Sequence, residues 1–331
     1  MSLAITRRRL VASASAALAL ALAGRVRTAF AQTGVYPDRL IKIIVPYPPA
    51  ALTDALGRLF AENLRVSLGQ PVVVENRAGA GTLLGAAVVA KGPADGYQLL
   101  IATSTTLAIS PAMFASPPAL PTDFTGVAMI GSVSLLLVTR PDLKVTGLPE
   151  LVAMIRRDPG RYTFGSPGNG TMHQLIVEMI KVQEKLVAVH VPYQGSSAAL
   201  GDLMSGRIDF MFLDVVAALP QVKAGKLSAI AVSAAQRLPS LPNLPTVSEI
   251  YPAIDVQAWQ SVVAPKGTPD AVVQKLNAEA NRQLNDPEVR KSLLAIGVMA
   301  NPMSTAALNE LIAHDAKRFA DLVRTLGLKA S

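Results

Sequence analysis

The sequence predicts an α/β protein of two domains, each a mainly parallel sheet flanked by helices, with a ligand cleft between the domains. Short β-branched runs alternate with helical stretches, which is typical of parallel sheets covered on both faces. The alternation restarts after Gly126. The 331 residues exceed what one hydrophobic core usually serves, about 250–300 residues. We therefore expect domain 1 to comprise residues 36–138 and 256–331, and domain 2 to comprise residues 139–255.

The first domain opens with a strand, a loop and a helix. A β-branched run ends at Pro46, and the helical stretch that follows ends before Gly69, where a C′ glycine belongs. The next two strands repeat the same apolar, β-branched composition. The strands are predicted at 40–46, 71–75 and 97–103, and the helices at 53–68 and 79–91.

The second domain repeats this order and is followed by a proline-rich segment at 237–252, which suits a loop that crosses between the domains. Three amphipathic helices then end the chain, with Thr268, Asp286 and Ser304 placed as N-caps. The predicted strands are 135–139, 162–165, 187–191, 208–213 and 228–234, and the predicted helices are 148–157, 172–181, 198–205, 269–284, 286–296 and 304–326.

The N-terminal residues 1–31 are interpreted as a signal peptide. Three arginines at positions 7 to 9 precede an Ala/Leu-rich run over 10–23, and small residues at Ala29 and Ala31 suit cleavage after Ala31. The apolar run is shorter than the roughly 20 residues that span a membrane, which argues against the alternative of an uncleaved anchor. Both the general secretory route and the twin-arginine route fit this leader.

Composition excludes several classes of function. The chain has no cysteine and three separated histidines, so disulfides, thiolate nucleophiles and a zinc site are not expected. Five of the 31 basic residues and none of the 23 acidic ones precede Gln32, which leaves 26 basic and 23 acidic residues and a net charge of +3. No Lys/Arg stripe interleaved with aromatics supports nucleic-acid binding. We expect no cofactor and no metal.

Three loops at predicted strand ends could bind a ligand: 46–54 (PYPPAALTD), 103–106 (TSTT) and 166–171 (SPGNGT). Ligands of open parallel sheets bind at such strand ends, and helix N-terminal amides attract anions. Each loop also has a purely structural alternative, namely a prolyl turn, a Ser/Thr-rich turn or a helix cap. Asp54 would by itself repel a carboxylate, and His173 is placed as well for capping or packing as for acid–base chemistry.

Eight segments occur together in an order that identifies a known family. They are 44–49 (IVPYPP), 71–81 (PVVVENRAGAG), 95–97 (DGY), 168–171 (GNGT), 190–193 (HVPY), 223–227 (KAGKL), 244–247 (LPTV) and 264–269 (APKGTP). Over residues 36–327 the chain resembles the Bug family, the periplasmic receptors of tripartite tricarboxylate transporters.

The resemblance implies a type II periplasmic binding protein fold with two crossovers, and binding of dicarboxylic, tricarboxylic, amino or aromatic acids. In such receptors backbone amides and small hydroxyls of the strand-to-helix loops hold the carboxylate, with ordered waters in the first loop. The ligand-binding residues implied for this chain are Tyr47, Pro49, Ala50, Ala51, Thr53, Asp54, Ser104, Thr105, Ser166, Asn169, Gly170, Thr171, His173, Tyr193 and Asp214.

Three positions depart from the family pattern. Ala50 and Ala51 replace the usual glycine pair, Leu107 stands where histidine is common, and Leu213-Asp214 replaces an Asp-Asn pair. The two added methyl groups are expected either to narrow the cleft or to forbid a positive φ.

The resulting hypothesis is an exported, monomeric receptor that captures a small carboxylate for membrane transporter subunits and does no chemistry on it. One alternative is a ligand sensor that docks on a membrane signalling partner. Another is a hydrolase that uses His173 with Asp54 or Asp214. The sequence contains no recognisable nucleophile motif that would support this alternative.

Overall fold

The computed structural model describes residues 36–254 and 256–329, and the fold below is that of the unit Arg39–Ser331. The predicted signal peptide lies outside the described residues. The strands of the unit form two separate sheets, one of six and one of five strands. We call each sheet, together with the helices that pack on it, a lobe.

Lobe 1 is built around the six-stranded sheet, whose strand order is β11-β4-β10-β3-β1-β2 when strands are numbered along the chain. Its strands are β1 (Ile41–Val45), β2 (Val72–Asn76), β3 (Gln98–Thr103), β4 (Phe124–Val133), β10 (Ala258–Pro265) and β11 (Val298–Ala300). Its helices are α1 (Leu52–Leu68), α2 (Leu83–Ala90), α3 (Ser110–Met113), α9 (Asp270–Leu284), α10 (Pro287–Ala295) and α11 (Thr305–Thr325).

Lobe 2 is built around the five-stranded sheet, in the order β7-β6-β8-β5-β9. Its strands are β5 (Leu135–Thr139), β6 (Thr163–Ser166), β7 (Val189–Pro192), β8 (Phe210–Asp214) and β9 (Ser228–Ser233). Its helices are α4 (Leu148–Arg157), α5 (Met172–Glu184), α6 (Ser196–Met204), α7 (Val215–Lys223) and α8 (Val247–Ile250).

Both sheets are mixed, whereas the alternation of strands and helices predicts mainly parallel sheets. In lobe 1, β1 pairs in parallel with β2 and β3, but β10 runs antiparallel to β3 and β4. In lobe 2, β6 pairs in parallel with β7 and β8, but β5 runs antiparallel to β8 and β9. The strands that run against the others are β10 and β11 in lobe 1 and β5 in lobe 2, and β5 and β10 are the first strands after the two passages between the lobes.

The chain passes between the lobes twice. The first passage is Ser134, which joins β4 directly to β5. It lies before the predicted boundary at 138, so all of β5 belongs to the sheet of lobe 2. The second passage lies between β9 and β10 and includes the proline-rich segment. Within that segment Thr246 Oγ1 accepts from the Glu249 amide and caps one helical turn, α8, while the Glu249 carboxylate accepts from the Thr246 amide.

The core of each lobe consists of the apolar strands that the sequence marks out. Residues Leu99, Leu100, Ile101 and Ala102 of β3 are fully buried, as expected of a strand covered on both faces. A second cluster in lobe 2 packs α6 and α7 onto β5, β8 and β9. The longer predicted helices are present, and Thr171, Asp286 and Ser304 accept hydrogen bonds from the amides they cap. The predicted cap Thr268 is wrong, because its hydroxyl donates to Pro265 O and Pro269 is the N-cap of α9.

Strands β4, β10 and β11 are not predicted from the sequence. Glycines weaken the strand pattern of β4, but Gly131 has a packing reason, because a Cβ at this position would meet the carbonyl oxygen of Met299 in β11. In β10 the polar residues Gln260 and Ser261 interrupt an apolar run. Both are nevertheless buried.

Candidate ligand-binding site

A cavity of about 260 Å³ lies between the lobes. We call it the first cavity. Its lining comes from the loop after β1, the end of β3, the start of β10, and the loops that lead from β6, β7 and β8 into helices. Ligands of α/β proteins usually bind at the carboxyl ends of strands in this way. The lining residues from lobe 1 include Tyr47, Pro49, Ala50, Ala51, Thr53, Ser104 and Thr105, and those from lobe 2 include Thr171, His173 and Asp214.

The N-termini of four helices open on the first cavity. Residues Leu52 and Thr53 of α1, Met172 and His173 of α5, Ser196 and Ser197 of α6, and Val216 and Ala217 of α7 all line it. The first amides of a helix have no intrahelical acceptor and carry the positive end of the helix dipole. In α1 the first backbone bond is donated by Ala55, to Ala51 O. The cavity therefore presents neutral hydrogen-bond donors that suit an anion.

The only ionisable carboxylate in the described lining belongs to Asp214, and no Lys or Arg is among the lining residues. Asp214 Oδ2 accepts a hydrogen bond from Ser196 Oγ at 3.3 Å. Its Oδ1 lies 3.7 Å from Nε2 of His173, which is too long for a hydrogen bond. Both ring nitrogens of His173 are buried without a hydrogen-bond partner in the part of the chain that the structure describes.

The first loop keeps its shape through Asp54. Ala50 has a φ of +64°, so its methyl group does not forbid the left-handed conformation. The Ala50 amide donates to Asp54 Oδ2 at 3.0 Å, and Arg58 and Asn76 also donate to this carboxylate. Burial by itself would raise the pKa of Asp54, but the hydrogen bonds from Arg58, Asn76 and Ala50 hold it below its usual value. Asp54 is not among the residues that line the cavity; its carboxylate supports this loop, and its contact with a ligand stays a prediction.

Tyr47 links the first loop to the end of β3 by a hydrogen bond. Its hydroxyl lies 3.1 Å from Thr103 Oγ1, which in turn accepts a bond from the Thr106 amide. Burial raises the pKa of Tyr47, and the negative charge of Asp214 adds to this effect. Tyr47 therefore presents a neutral phenol to the cavity. Thr105 reaches across the cleft, where its Oγ1 accepts from the Met172 amide at 3.3 Å.

The SPGNGT loop of lobe 2 uses most of its own polar groups. Ser166 Oγ donates to Gly168 O and lies 2.7 Å from Nε2 of His190. The Gly170 amide donates to Gln174 Oε1 at 2.8 Å, and the Thr171 hydroxyl donates to Gly168 O at 2.9 Å. Ser166 and Gly170 do not line the first cavity. These two residues stabilise the loop, and their contact with a ligand stays a prediction.

A second cavity of about 500 Å³ adjoins the first. Asn169 and Tyr193, both predicted as ligand-binding residues, line this second cavity and not the first. Tyr193 donates to Asp202 Oδ2 at 2.8 Å, and burial together with Asp202 raises the pKa of its hydroxyl to about 12. The two cavities share lining residues from both lobes: Tyr47, Pro48, Pro167, Thr171, Gln194 and Gly195. These shared residues separate the two cavities.

Several lining residues are absent from the predicted site. One of them is Gln260, which is 6% exposed and donates from Nε2 to Thr53 Oγ1 at 3.0 Å. Its Oε1 has no hydrogen-bond partner within the described residues. Trp259 also lines the cavity, and its indole Nε1 donates to Asp315 Oδ2 at 2.8 Å. One signal could have indicated Gln260, namely a polar residue inside the apolar run 258–265.

Two features of the described residues bear on other classes of function. No group of three or more His, Cys, Asp or Glu side chains in 36–254 and 256–329 could hold a metal ion. Within the same ranges, none of the helices combines the length and the hydrophobicity that crossing a bilayer requires.

Comparisons with known proteins agree on one family. Residues 56–328 match the family model described as tripartite tricarboxylate transporter family receptor. The protein BugT of Bordetella pertussis is 37% identical over 300 residues, which covers 89% of this chain and 91% of BugT. An adipate-bound protein of R. palustris has a TM-score of 0.85 at 31% identity and covers 90% of this chain and 100% of its own. Malate-bound MatC of Rhodopseudomonas palustris has a TM-score of 0.80 at 30% identity, with 87% and 100% covered.

Proposed function

The chain belongs to the tripartite tricarboxylate transporter receptor family, and from this premise we propose that it holds a small carboxylate in the first cavity and passes it to membrane transporter subunits. It is a periplasmic solute receptor of that family and not an enzyme. Adipate and malate are the ligands of two similar solved proteins, which supports a carboxylate here.

The observation that carries the proposal is the convergence of four helix N-termini on one cavity. Apart from the Met172 amide, which donates to Thr105 Oγ1, the first amides of these helices can offer partners to both oxygens of a carboxylate, and the cavity lining has no Lys or Arg that would take this role instead. A volume of about 260 Å³ equals that of roughly nine water molecules at about 30 Å³ each. This size suits a small organic acid and lies below the range of about 300–1,000 Å³ that is typical of drug-sized ligands.

The residues proposed to bind the ligand are those that line the first cavity near these helix ends. Leu52, Thr53 and His173 contribute backbone amides, while Tyr47 and Ser104 contribute hydroxyls. Asn169 and Tyr193 line the second cavity, and we propose that the ligand passes them on its way to the first cavity. The proposal also includes a monomeric protein and export by the secretory or the twin-arginine route.

The test is calorimetry and thermal unfolding with a panel of mono-, di- and tricarboxylates, their amides, and a neutral sugar. Binding by the right carboxylate should raise the melting temperature, because a ligand that binds only the folded state stabilises it. The matching amide should bind far more weakly, since a neutral group gains less from helix N-termini. A protein that responds to the sugar and to none of the acids does not have the proposed function.

A steric variant ties the response to the cavity. Ala217 lies in α7 and lines the first cavity, so Ala217→Leu fills part of the space with three added carbons. We expect it to weaken carboxylate binding by at least tenfold. Ala278→Leu makes the same change on the exposed side of α9 and should leave binding unchanged. Equal affinities in the two variants would place the ligand outside the first cavity.

A further inference from the structure

We propose that the first cavity selects a carboxylate that also carries an ammonium group, with Asp214 and Gln260 as the acceptors of that group. This inference rests on the proposed function, because it assumes that the helix N-termini hold the carboxylate. It adds to that function the class of ligand and two residues that determine specificity. A simple dicarboxylate is the ligand that the same two residues disfavour.

The first step concerns the charge of Asp214. Its side chain is 14% exposed, and no Lys or Arg in the described residues forms an ion pair with it. Its one hydrogen bond comes from the neutral hydroxyl of Ser196. A carboxylate in such a place is stabilised by a cation that enters the cavity, and it repels any second carboxylate that does so.

The second step concerns Gln260, which belongs to the opposite lobe. Because its Nε2 bonds to Thr53 Oγ1, the amide group is oriented, and its Oε1 is a buried acceptor without a donor in the described part of the chain. Buried acceptors are nearly always paired in native proteins. An ammonium group has three protons to donate and no acceptor. Gln260 and Asp214 both line the first cavity, so an ammonium group that enters it can donate to Asp214, and also to Gln260 Oε1 once this buried side chain turns toward the ligand.

The third step concerns the ligand's other end. The amides at the start of α1 lie beside Gln260 through its bond to Thr53, and they carry no counter-charge. They suit the carboxylate of the ligand. A ligand with one carboxylate and one ammonium group thus matches both parts of the cavity. Its ammonium group compensates the negative charge of Asp214, and its carboxylate binds the amides of α1. His173 could compete as the cation for Asp214, but its Nε2 is 3.7 Å away, and the ligand series below distinguishes the two cases.

The experiment uses calorimetry with acids that differ in one group. β-Alanine is compared with malonate and propionate, and γ-aminobutyrate with succinate and butyrate. Alanine is compared with lactate, so that an amine replaces a hydroxyl on the same carbon. At least one amino acid should bind ten times or more tightly than its diacid and its unsubstituted analogue. If His173 supplied the cation for Asp214, this preference would be absent.

Variants then assign the preference to residues. Asp214→Asn keeps the shape and removes the charge, so it should weaken binding of the amino acid by at least tenfold and improve binding of the matching diacid. Gln260→Met removes the acceptor and should weaken the amino acid alone. Asp286→Asn is the control, because Asp286 caps α10 outside the cavity and asparagine also caps helices well. This control should bind like the unmodified protein.

The outcomes separate the inference from the proposed function. Diacids or hydroxy acids that bind as tightly as the amino acids, or an unchanged ratio in Asp214→Asn, overturn the ammonium inference and leave the carboxylate receptor in place. If no carboxylate of any kind binds, both the inference and the proposed function fail. Thermal unfolding without ligand shows whether each variant is folded.

Discussion

The amide nitrogen of Ala50 lies 3.0 Å from Oδ2 of Asp54, and this bond closes the turn in which Ala50 is left-handed, with φ at +64°. An alanine thus occupies a backbone conformation that favours glycine. The buried carboxylate of Asp54 keeps it there while the next residues begin α1 and line the cavity. The conformation of the loop is therefore held by a side chain behind it and does not require the ligand.

The Ala50 turn predicts an unusual effect of glycine. Ala50→Gly should leave the free energy of unfolding unchanged or raise it by up to about 1 kcal/mol. The left-handed alanine costs about 1–2 kcal/mol, and the added freedom of the unfolded glycine chain costs about 0.4–1 kcal/mol. Ala278→Gly, on the exposed side of α9, should lower the same free energy by about 1 kcal/mol. Denaturant unfolding that gives both variants an equal loss would contradict this account.

Thr171 is predicted to matter for stability more than for ligand contact. Its hydroxyl donates to Gly168 O and accepts from the Gln174 amide, so Thr171→Val removes a helix cap and should cost about 0.5–2 kcal/mol of stability. Affinity should change by much less than tenfold. Ser304→Ala removes the cap of α11 and is the reference for a cap loss far from the site. If calorimetry showed a large loss of affinity with little loss of stability, the Thr171 hydroxyl would instead bind the ligand directly.

Trp259 is predicted to report ligand binding by its fluorescence. It is the single tryptophan of the chain, is 3% exposed and lines the first cavity. A ligand that enters should change the surroundings of the indole directly, and closure of the lobes would add to this change. Titration with a bound carboxylate should give a saturable signal that Ala217→Leu shifts to higher concentration. A signal that rises linearly with added acid would instead indicate quenching in solution.

His190 predicts a loss of stability in mild acid. Burial, with a smaller contribution from the positive charge of Lys181, lowers its pKa from 6.5 to about 4. Between these two values the unfolded chain binds a proton that the folded protein excludes, so stability falls by about 1–3 kcal/mol as pH drops from about 6.5 to about 4. His190→Gln should flatten this part of the curve, and His314→Gln, whose side chain is 71% exposed, should not. Parallel curves for the protein and His190→Gln would exclude His190 as the cause.

Export predicts the N-terminus of the mature protein. Protein recovered from the periplasm should begin at Gln32, because the leader has three arginines, a short apolar run and small residues before the cleavage point. N-terminal sequencing or intact mass measures this directly. Material that still begins at Met1 would show that the leader is retained.

The sequence is informative about elements and loops because their signals are local. The alternation of apolar strands with amphipathic helices predicts the two lobes, and the loops after β1, β3 and β6 all contribute to the lining of the first cavity. The neighbouring sequence does not determine the direction in which a short polar side chain points. Asp54 and Ser166 stand beside ligand-binding loops in sequence, but their side chains turn to Arg58 and His190 on the far side of those loops.

Gln260 shows the other limit of prediction. It lies in β10, a strand of lobe 1 that follows all the strands of lobe 2 in the sequence. Its bond to Thr53 joins residues that are 207 positions apart. No periodic pattern within the strand can indicate such a partner. A buried glutamine in an apolar run is a useful signal only when the opposite wall of the cavity is also known.

The position of β10 has a consequence for the order in which the protein is made. Because β10 lies between β3 and β4, the sheet of lobe 1 cannot be completed until the ribosome has delivered residues 258–265. Lobe 2 takes its five strands from the continuous stretch 135–233 and can be complete much earlier. Strand β10 also carries Gln260 and Trp259, so a chain that ended just before residue 258 would contain all five strands of lobe 2 but would lack this wall of the first cavity.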